Sequence, residues 1–279
     1  MITSKALTSM GVRHNIVVEP QEVDAYKESV NRFGLLTNVI ELDMSYKDKY
    51  DYCDKFGRDK PTGSGPCRNF IWDTAVAGGH EYHWIMDDNI LDFRRLNKNE
   101  KVKCETPSFW AAMEDFALRY TNVAMAGPNY YMFAPARSKQ PPFIANTRIY
   151  SCNLIRNDVP YRWRGRFNED TILSLDMLKD GWCTVLFNAL LQNKLSTGLV
   201  KGGNTDTIYK EGTKEKSSML VREHPDVSRL AWRFKRAHHY VDYRKFKKNR
   251  LIRKSAISIE EGVNNYGMKL VQKGAQDVA

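Results

Sequence analysis

The chain has 279 residues and a mass of 32.3 kDa, a size that suits one large domain or two small ones. Its net charge of +10 favours a polyanionic partner, with nucleic acid first, although a generic basic enzyme would show the same balance. No apolar run reaches the roughly 18 residues of a membrane span, and we see no secretory signal. Five scattered cysteines without a Cys-x-x-Cys pair indicate reduced thiols and a cytoplasmic location.

Strands and helices alternate along the predicted secondary structure. In chain order the pattern predicts helix 4–11, strand 15–19, helix 23–32, strand 38–43, loop 61–66, helix 67–77, strand 82–86, charged loop 93–101, helix 109–120, strands 122–126 and 147–155, helix 171–179, strand 182–191 and a basic helix 227–240. This alternation is typical of an α/β fold with a mostly parallel central sheet and flanking helices. We expect one catalytic domain over residues 1–245 and a basic C-terminal extension over residues 246–279.

Oxygen-bearing side chains follow the apolar strand 82–86 directly, as Asp87, Asp88 and Asn89. Ligands of open α/β sheets gather at the carboxyl ends of strands, and carboxylate and amide oxygens can hold a hard divalent cation that in turn binds phosphates. The alternative is that these residues only cap a turn. The pattern therefore indicates an enzyme that acts on a nucleotide-linked substrate.

A second candidate site lies where a glycine-bearing loop, including Gly65, leads into helix 67–77 through Arg68 and Asn69. The first turn of a helix offers free N–H groups and the positive end of the helix dipole. Arg68 adds a positive charge, so this turn is predicted to bind the pyrophosphate or nucleoside of a donor. An exposed arginine beside a local cap is the alternative.

Acidic residues at the start of helix 171–179 provide a candidate general base. A positioned carboxylate can accept the proton of a hydroxyl nucleophile, and we expect Asp170 in this role, with Glu169 as the second choice. The sequence Asn168-Glu169-Asp170 is also typical of an ordinary N-cap with acidic residues in the first turn.

Together these segments resemble nucleotide-sugar glycosyltransferases of the GT-A fold, in a family 2-like arrangement. The segment ending in Asp87-Asp88-Asn89 is similar to the region of the Asp-x-Asp motif, and Asn168-Glu169-Asp170 is similar to the motif that supplies the base in inverting members. His224 is similar to the C-terminal metal-binding histidine. The resemblance implies a divalent metal, Mn²⁺ or Mg²⁺, held by Asp87, Asn89 and His224, with Asp88 on the donor ribose or sugar.

A closer resemblance is to phage glycosyltransferases associated with TET/JBP-type base hydroxylases. It is carried by Gly202-Gly203-Asn204, His224-Pro225-Asp226 and the His-His-Tyr-Val-Asp-Tyr run at residues 238–243, and it covers residues 1–245. It implies transfer of a sugar, with a UDP-sugar as the expected donor, to the hydroxymethyl group of a modified pyrimidine such as 5-hydroxymethylcytosine. The acceptor would be double-stranded phage DNA in the host cytoplasm. A glycan or protein acceptor, or a non-catalytic DNA-binding derivative, stays open.

Two features depart from that resemblance. Such folds open with a strand ahead of the helix that here begins near Met1, so we expect the central sheet to lack its first strand. The third position of the acidic motif is Asn89 rather than aspartate, which removes one charge but keeps an oxygen ligand.

Basic residues interleaved with aromatic ones are the predicted DNA contacts. Arg162, Arg164 and Arg166 alternate with Trp163 and other aromatic residues just before the expected base, so the arginines could hold phosphates while the aromatics stack an extruded base. The alternative is a loop whose aromatics are core. A second basic cluster, residues 233–254, would add salt-sensitive phosphate affinity or form a solvated face.

Overall fold

The computed structural model describes residues 1–134, 140–195, 213–233 and 235–256. The helices are α1 (Ile2–Ser9), α2 (Val23–Phe33), α3 (Ser45–Lys49), α4 (Gly65–Ala77), α5 (Ser108–Leu118), α6 (Glu169–Lys179) and α7 (Thr213–Glu223). The strands are β1 (His14–Val18), β2 (Thr37–Glu41), β3 (Tyr82–Met86), β4 (Ile90–Asn97), β5 (Glu100–Lys103), β6 (Val123–Tyr130), β7 (Phe143–Ala145), β8 (Cys152–Arg156), β9 (Cys183–Lys194), β10 (Ser228–Arg233) and β11 (Arg236–Val241).

A mixed sheet forms the centre of the α/β architecture. Its strand order is β3-β8-β6-β9-β4-β5, with β7 also paired to β9. Only the β6–β9 pair is parallel; the other pairs in this sheet are antiparallel. The prediction of a mostly parallel sheet is therefore wrong. Alternating elements predicted the fold class, but they do not show that β8 and β4 run against their neighbours.

Two segments with many charged residues form hairpins, against prediction. The predicted loop 93–101 is the hairpin β4–β5, whose turn residues Lys98 and Asn99 both have positive φ, the backbone that a two-residue turn of this hand requires. The predicted basic helix 227–240 is the antiparallel hairpin β10–β11. In both hairpins many positions are charged, and Leu91, Leu230 and Trp232 are exposed, so the sequence does not show the simple two-residue alternation of a strand.

Two hydrophobic clusters cover opposite faces of the sheet. One cluster packs α1 and α5 against the sheet and contains the fully buried Phe93 and Met113. The other packs α4 and α6 against the sheet through Trp72, Trp163 and Leu173. Because α4 and α6 are fixed to one face in this way, their first turns are held near the carboxyl end of β3.

Two strands, β1 of a two-stranded sheet and β3 at the edge of the central sheet, each have one open edge among the described residues. Among the described residues β1 pairs only with β2, in parallel, and β3 pairs only with β8. Residues of both strands line the same large cleft. The expected loss of a first strand stays a prediction.

Residues after the predicted boundary at residue 245 contact the rest of the chain, and the division into a catalytic domain and an extension stays a prediction. Asn249 donates its side-chain amide hydrogens to the carbonyls of Leu178 and Trp182, and Lys254 N–H donates to Arg119 O. In the part of the chain that the structure describes, no helix is long and apolar enough to cross a membrane.

Candidate active site

Arg68, in the first turn of α4, joins the carboxylates of two other elements. Its guanidinium lies 2.6 Å from Asp87 Oδ1, 2.7 Å from Asp170 Oδ1 and 3.2 Å from Glu169 Oε1. It also stacks over the ring of Trp163 at 4.5 Å. The structure thus brings together four of the predicted site residues, from the start of α4, the end of β3 and the start of α6.

Two predicted donor contacts, Gly65 and Asn69, lie near the start of α4. A Cβ atom on Gly65 would lie 1.9 Å from the hydroxyl oxygen of Tyr50, which donates to Gly165 O. The side chain of Asn69 accepts from Trp163 N–H and donates to Trp163 O. Asn69 therefore fastens the start of α4 to the segment that precedes α6, and Gly65 leaves room there for Tyr50. Donor binding by these two residues stays a prediction.

Lys194, at the end of β9, is a site residue that the sequence did not indicate. Its Nζ lies 2.5 Å from Asp87 Oδ2 and 2.8 Å from Ser151 Oγ. Lys194 reaches Asp87 because it pairs with Ile90 across the β4–β9 ladder. Ser151 has a left-handed backbone, φ +61°, which is uncommon for a residue other than glycine. No local pattern predicts a pairing between residues so far apart.

The turn after β3 is held by α1. Thr3 Oγ1 donates to Asp87 O at 2.6 Å and accepts from Ile90 N–H at 2.8 Å, and Thr3 N–H donates to Asp88 O. The Asp88 side chain is exposed in the cleft, and Asn89 Oδ1 is buried without a hydrogen-bond partner among the described residues. The carboxylate of Asp88 is thus available to a ligand.

The two central carboxyl groups have opposite pKa shifts. Burial raises the pKa of Asp170 to about 7, although Arg68 opposes the shift. Burial acts in the same direction on Asp87, but Arg68 and Lys194 outweigh it and hold the pKa of Asp87 below its ordinary value. Pairs of carboxyl groups whose environments separate their pKa values are typical of acid–base sites.

Asn168 does not cap α6 with its side chain, contrary to the alternative interpretation of this motif. Its backbone is left-handed, φ +56°, a conformation that asparagine tolerates. Its side chain donates to Lys216 O. Asn168 therefore ties the start of α6 to α7, and the first-turn carboxylates point to Arg68.

The expected metal ligands do not assemble. His224 is 1% exposed, is absent from the cleft wall and faces Asp176, with 3.6 Å between Nε2 and Oδ1. Burial lowers the pKa of His224 to about 4, while both oxygens of Asp87 are engaged by cations. Among the described residues no three His, Cys, Asp or Glu side chains are placed to hold a metal ion. Within the described ranges these side chains thus do not form the expected site for Mn²⁺ or Mg²⁺, and metal dependence stays a prediction.

The arginines predicted to contact DNA are engaged within the protein. Arg166 and Asp54 form a buried ion pair at 2.6 Å. Arg164 pairs with Asp176 at 3.0 Å and with Glu223, and Arg162 pairs with Asp73 at 2.9 Å. Trp163 is 1% exposed and cannot stack a base. The burial of Trp163 agrees with the alternative interpretation, in which the aromatics of this run are core, and DNA contact by the arginines stays a prediction.

A cleft of about 2510 Å³ connects these groups. One wall carries Arg68, Asp87, Asp88 and Asp170, and another carries residues of the hairpin β10–β11. The expected motif Gly202-Gly203-Asn204 lies outside the described residues. The cleft has room for a nucleotide-linked donor together with part of a large acceptor.

Comparison with known proteins identifies the family of the chain. A family model described as TET-Associated Glycosyltransferase matches residues 1–204. No curated protein and no solved structure matches the chain. The match covers well over half of the 279 residues and includes Arg68, Asp87 and Asp170. The chain therefore belongs to the TET-associated glycosyltransferase family and is a glycosyltransferase, an enzyme that joins a sugar from a nucleotide-sugar donor to an acceptor.

Proposed function

We propose that this enzyme transfers a sugar, with a UDP-sugar as the expected donor, to the hydroxymethyl group of a modified pyrimidine in double-stranded DNA. The family membership and the positive net charge support this choice of reaction and acceptor. A pyrimidine of the 5-hydroxymethylcytosine type offers the hydroxyl group that such a transfer needs. We also propose a GT-A, family 2-like arrangement for the α/β domain, supported by the acidic residues after β3 and at the start of α6.

The observation that carries the proposal is the raised pKa of Asp170, a carboxyl group that is partly exposed in the cleft. Burial raises its pKa to about 7, while 15% of its side chain stays exposed in the cleft. A general base works best when its pKa lies near the operating pH. In the proposed step the carboxylate of Asp170 takes the hydroxyl proton, the hydroxyl oxygen bonds to the anomeric carbon, and the bond from that carbon to the diphosphate breaks.

Positive charge near Asp87 is proposed to act on the donor. The departing diphosphate gains negative charge as its bond to the sugar breaks, and a fixed cation stabilises such charge best where water is excluded. Lys194 and Arg68 lie on either side of the Asp87 carboxylate and line the cleft. We propose that Lys194 faces the diphosphate and that Asp88, which is exposed beside it, contacts the ribose or sugar.

The test compares Asp170→Asn with Asp176→Asn in the full chain. Both aspartates lie on α6 and pair with an arginine, but Asp176 is not part of the cleft wall. Duplex DNA containing 5-hydroxymethylcytosine is incubated with a panel of nucleotide sugars, with Mn²⁺ and with EDTA in separate arms, and added sugar mass on the nucleoside is measured. Loss of a general base should slow transfer by roughly 10²- to 10⁴-fold, with nucleotide affinity unchanged.

Three results would count against the proposal. Transfer by Asp170→Asn at the unaltered rate would exclude Asp170 as the base. Equal losses in both variants would indicate a structural effect on α6. If the unaltered enzyme adds no sugar to this DNA with any donor but modifies a glycan or protein, the acceptor is wrong while the glycosyltransferase assignment stands.

A further inference from the structure

The hairpin β10–β11 carries positive charges that no carboxylate neutralises among the residues that the structure describes. Arg229, Arg233, Lys235 and Arg236 are exposed, and none of them forms an ion pair with a carboxylate in the described parts of the chain. Other exposed arginines do so: Arg222 pairs with Glu215, and Arg244 pairs with Asp242. The hairpin is therefore a surface whose cations are free to bind an external anion.

The pairing register places these cations against each other. Arg233 lies directly opposite Arg236, next to the turn, and like charges in this position destabilise a hairpin. Tyr240, opposite Arg229, offsets part of that cost because its ring lies 5.0 Å from Arg229 and 5.1 Å from Arg233. The aromatic ring also holds the two guanidinium groups on one face of the ribbon. The hairpin therefore brings positive charges close together at a cost in its own stability.

An exposed tryptophan stands at the same tip. Trp232 is 76% exposed and lies opposite Ala237, on the face that does not carry Arg229 and Arg233. Leu230, on that face, is exposed as well. The ring of Trp232 is therefore not placed to contact a polyanion bound along the face of Arg229 and Arg233.

The position of the hairpin connects it to the candidate active site. Arg233, Arg236 and Tyr240 line the cleft that also contains Asp170 and Arg68. A polyanion bound along the cationic face of the hairpin would therefore reach into the cleft that holds the expected base. A two-stranded ribbon is also narrow enough to enter the major groove of duplex DNA.

We propose that the hairpin β10–β11 is the element that binds the acceptor DNA, with Arg229, Arg233 and Arg236 on its phosphates. This inference rests on the proposed DNA acceptor and names the surface that would bind it. Duplex DNA fits better than an acidic lipid surface because the cationic face opens into a cleft rather than onto a flat exterior. The binding supplies affinity and position, and the chemistry stays at Asp170.

The test measures the affinity for a hydroxymethylated DNA duplex across a range of salt concentrations. The double variant Arg233→Ala, Arg236→Ala is compared with Arg222→Ala, Arg244→Ala, which removes the same charge from exposed arginines that have carboxylate partners. We expect the hairpin variant to bind at least about tenfold more weakly near physiological salt, and its plot of log affinity against log salt to lose about 0.9 of slope per lost phosphate contact. Trp232→Ala, on the opposite face of the ribbon, serves as a second control and should leave the affinity and the salt slope unchanged. We expect the affinity for the nucleotide sugar to be unchanged in all of these variants.

Two outcomes separate this inference from the proposed function. If the unaltered enzyme binds the duplex and the double variant Arg233→Ala, Arg236→Ala binds it with the same affinity and salt slope, the hairpin is not the DNA contact, while the acceptor assignment survives. If the unaltered enzyme binds anionic vesicles but no DNA, both the inference and the DNA acceptor are overturned. The circular dichroism spectrum of each variant checks its fold, and glutamine in place of alanine replaces any variant that does not fold.

Discussion

The arginine run at residues 161–167 and the hairpin β10–β11 contain nearly the same residue types. They differ in whether the arginines have carboxylate partners and in whether the tryptophan is exposed. Each combines three arginines with a tryptophan and a tyrosine. In the run every arginine has a carboxylate partner, and Trp163 is buried. In the hairpin the arginines have no carboxylate partner among the described residues, and Trp232 is exposed. A basic aromatic pattern therefore identifies a nucleic-acid contact only when its charges lack partners inside the protein.

The difference follows from what burial does to a charge. Removing a guanidinium from water costs several kcal/mol unless an opposite charge and hydrogen bonds replace the water. Arg166 meets this condition with Asp54 and with the carbonyls of Lys60 and Pro61. An exposed arginine such as Arg229 keeps its water and needs no partner, so its charge stays available to a phosphate.

The largest effect should come from Arg166→Met. The substitution leaves Asp54 buried without its partner, so we expect the free energy of unfolding to fall by about 3–5 kcal/mol. Arg236→Met, on the hairpin, should change it by no more than about 0.5 kcal/mol. Urea unfolding of the two variants measures both values. Equal losses of unfolding free energy in the two variants would show that the run and the hairpin do not differ in their need for a charged partner.

The next effect concerns pH and separates catalysis from DNA binding. Asp170 acts as a carboxylate, and its pKa is about 7, so the transfer rate should fall about tenfold for each pH unit below 7 and level off above it. Because the raised pKa favours the neutral acid in the folded state, the contribution of Asp170 to stability decreases as pH rises from about 4 to about 7. Arginines stay charged throughout this range. DNA affinity carried by the hairpin should therefore hardly change.

Single-turnover rates and DNA affinities measured between about pH 5 and pH 8 test this separation. A transfer rate that stays flat down to about pH 5 would show that another group limits the chemistry. A DNA affinity that follows the rate would show that binding depends on Asp170 rather than on arginines.

The smallest effect is expected for Arg162→Ala. Arg162 is the most exposed arginine of the run, and both side chains of its pair with Asp73 are near 40% exposed, so the loss of stability should be at most about 1 kcal/mol. Its charge is already partnered, and DNA affinity should change by less than about twofold. Anisotropy titration with the same duplex measures the DNA affinity of this variant. A tenfold loss would return the run to the DNA-binding surface.

Much of the candidate site followed from local patterns. Arg68 after the glycine-bearing loop, Asp87 after an apolar strand and Asp170 at a helix start were all predicted, because a helix start and a strand end each have a short-range signature. Lys194 was missed, because it meets Asp87 only across the β4–β9 ladder. The hairpin β10–β11 was mistaken for a helix, since arginine and lysine suit either structure and its alternation is short.

The sequence by itself determined the α/β class, the helices α4 and α6, the strand β3 and the three charged residues that meet at Arg68. These depend on periodicity within about a dozen residues. Only the tertiary structure decided the mixed direction of the sheet, the contacts of Gly65 and Asn69, the burial of His224 beside Asp176, and which arginines have a carboxylate partner among the described residues. Arg166 pairs with Asp54, 112 positions away, and the desolvation that makes this partner necessary exists only once the chain has folded around it.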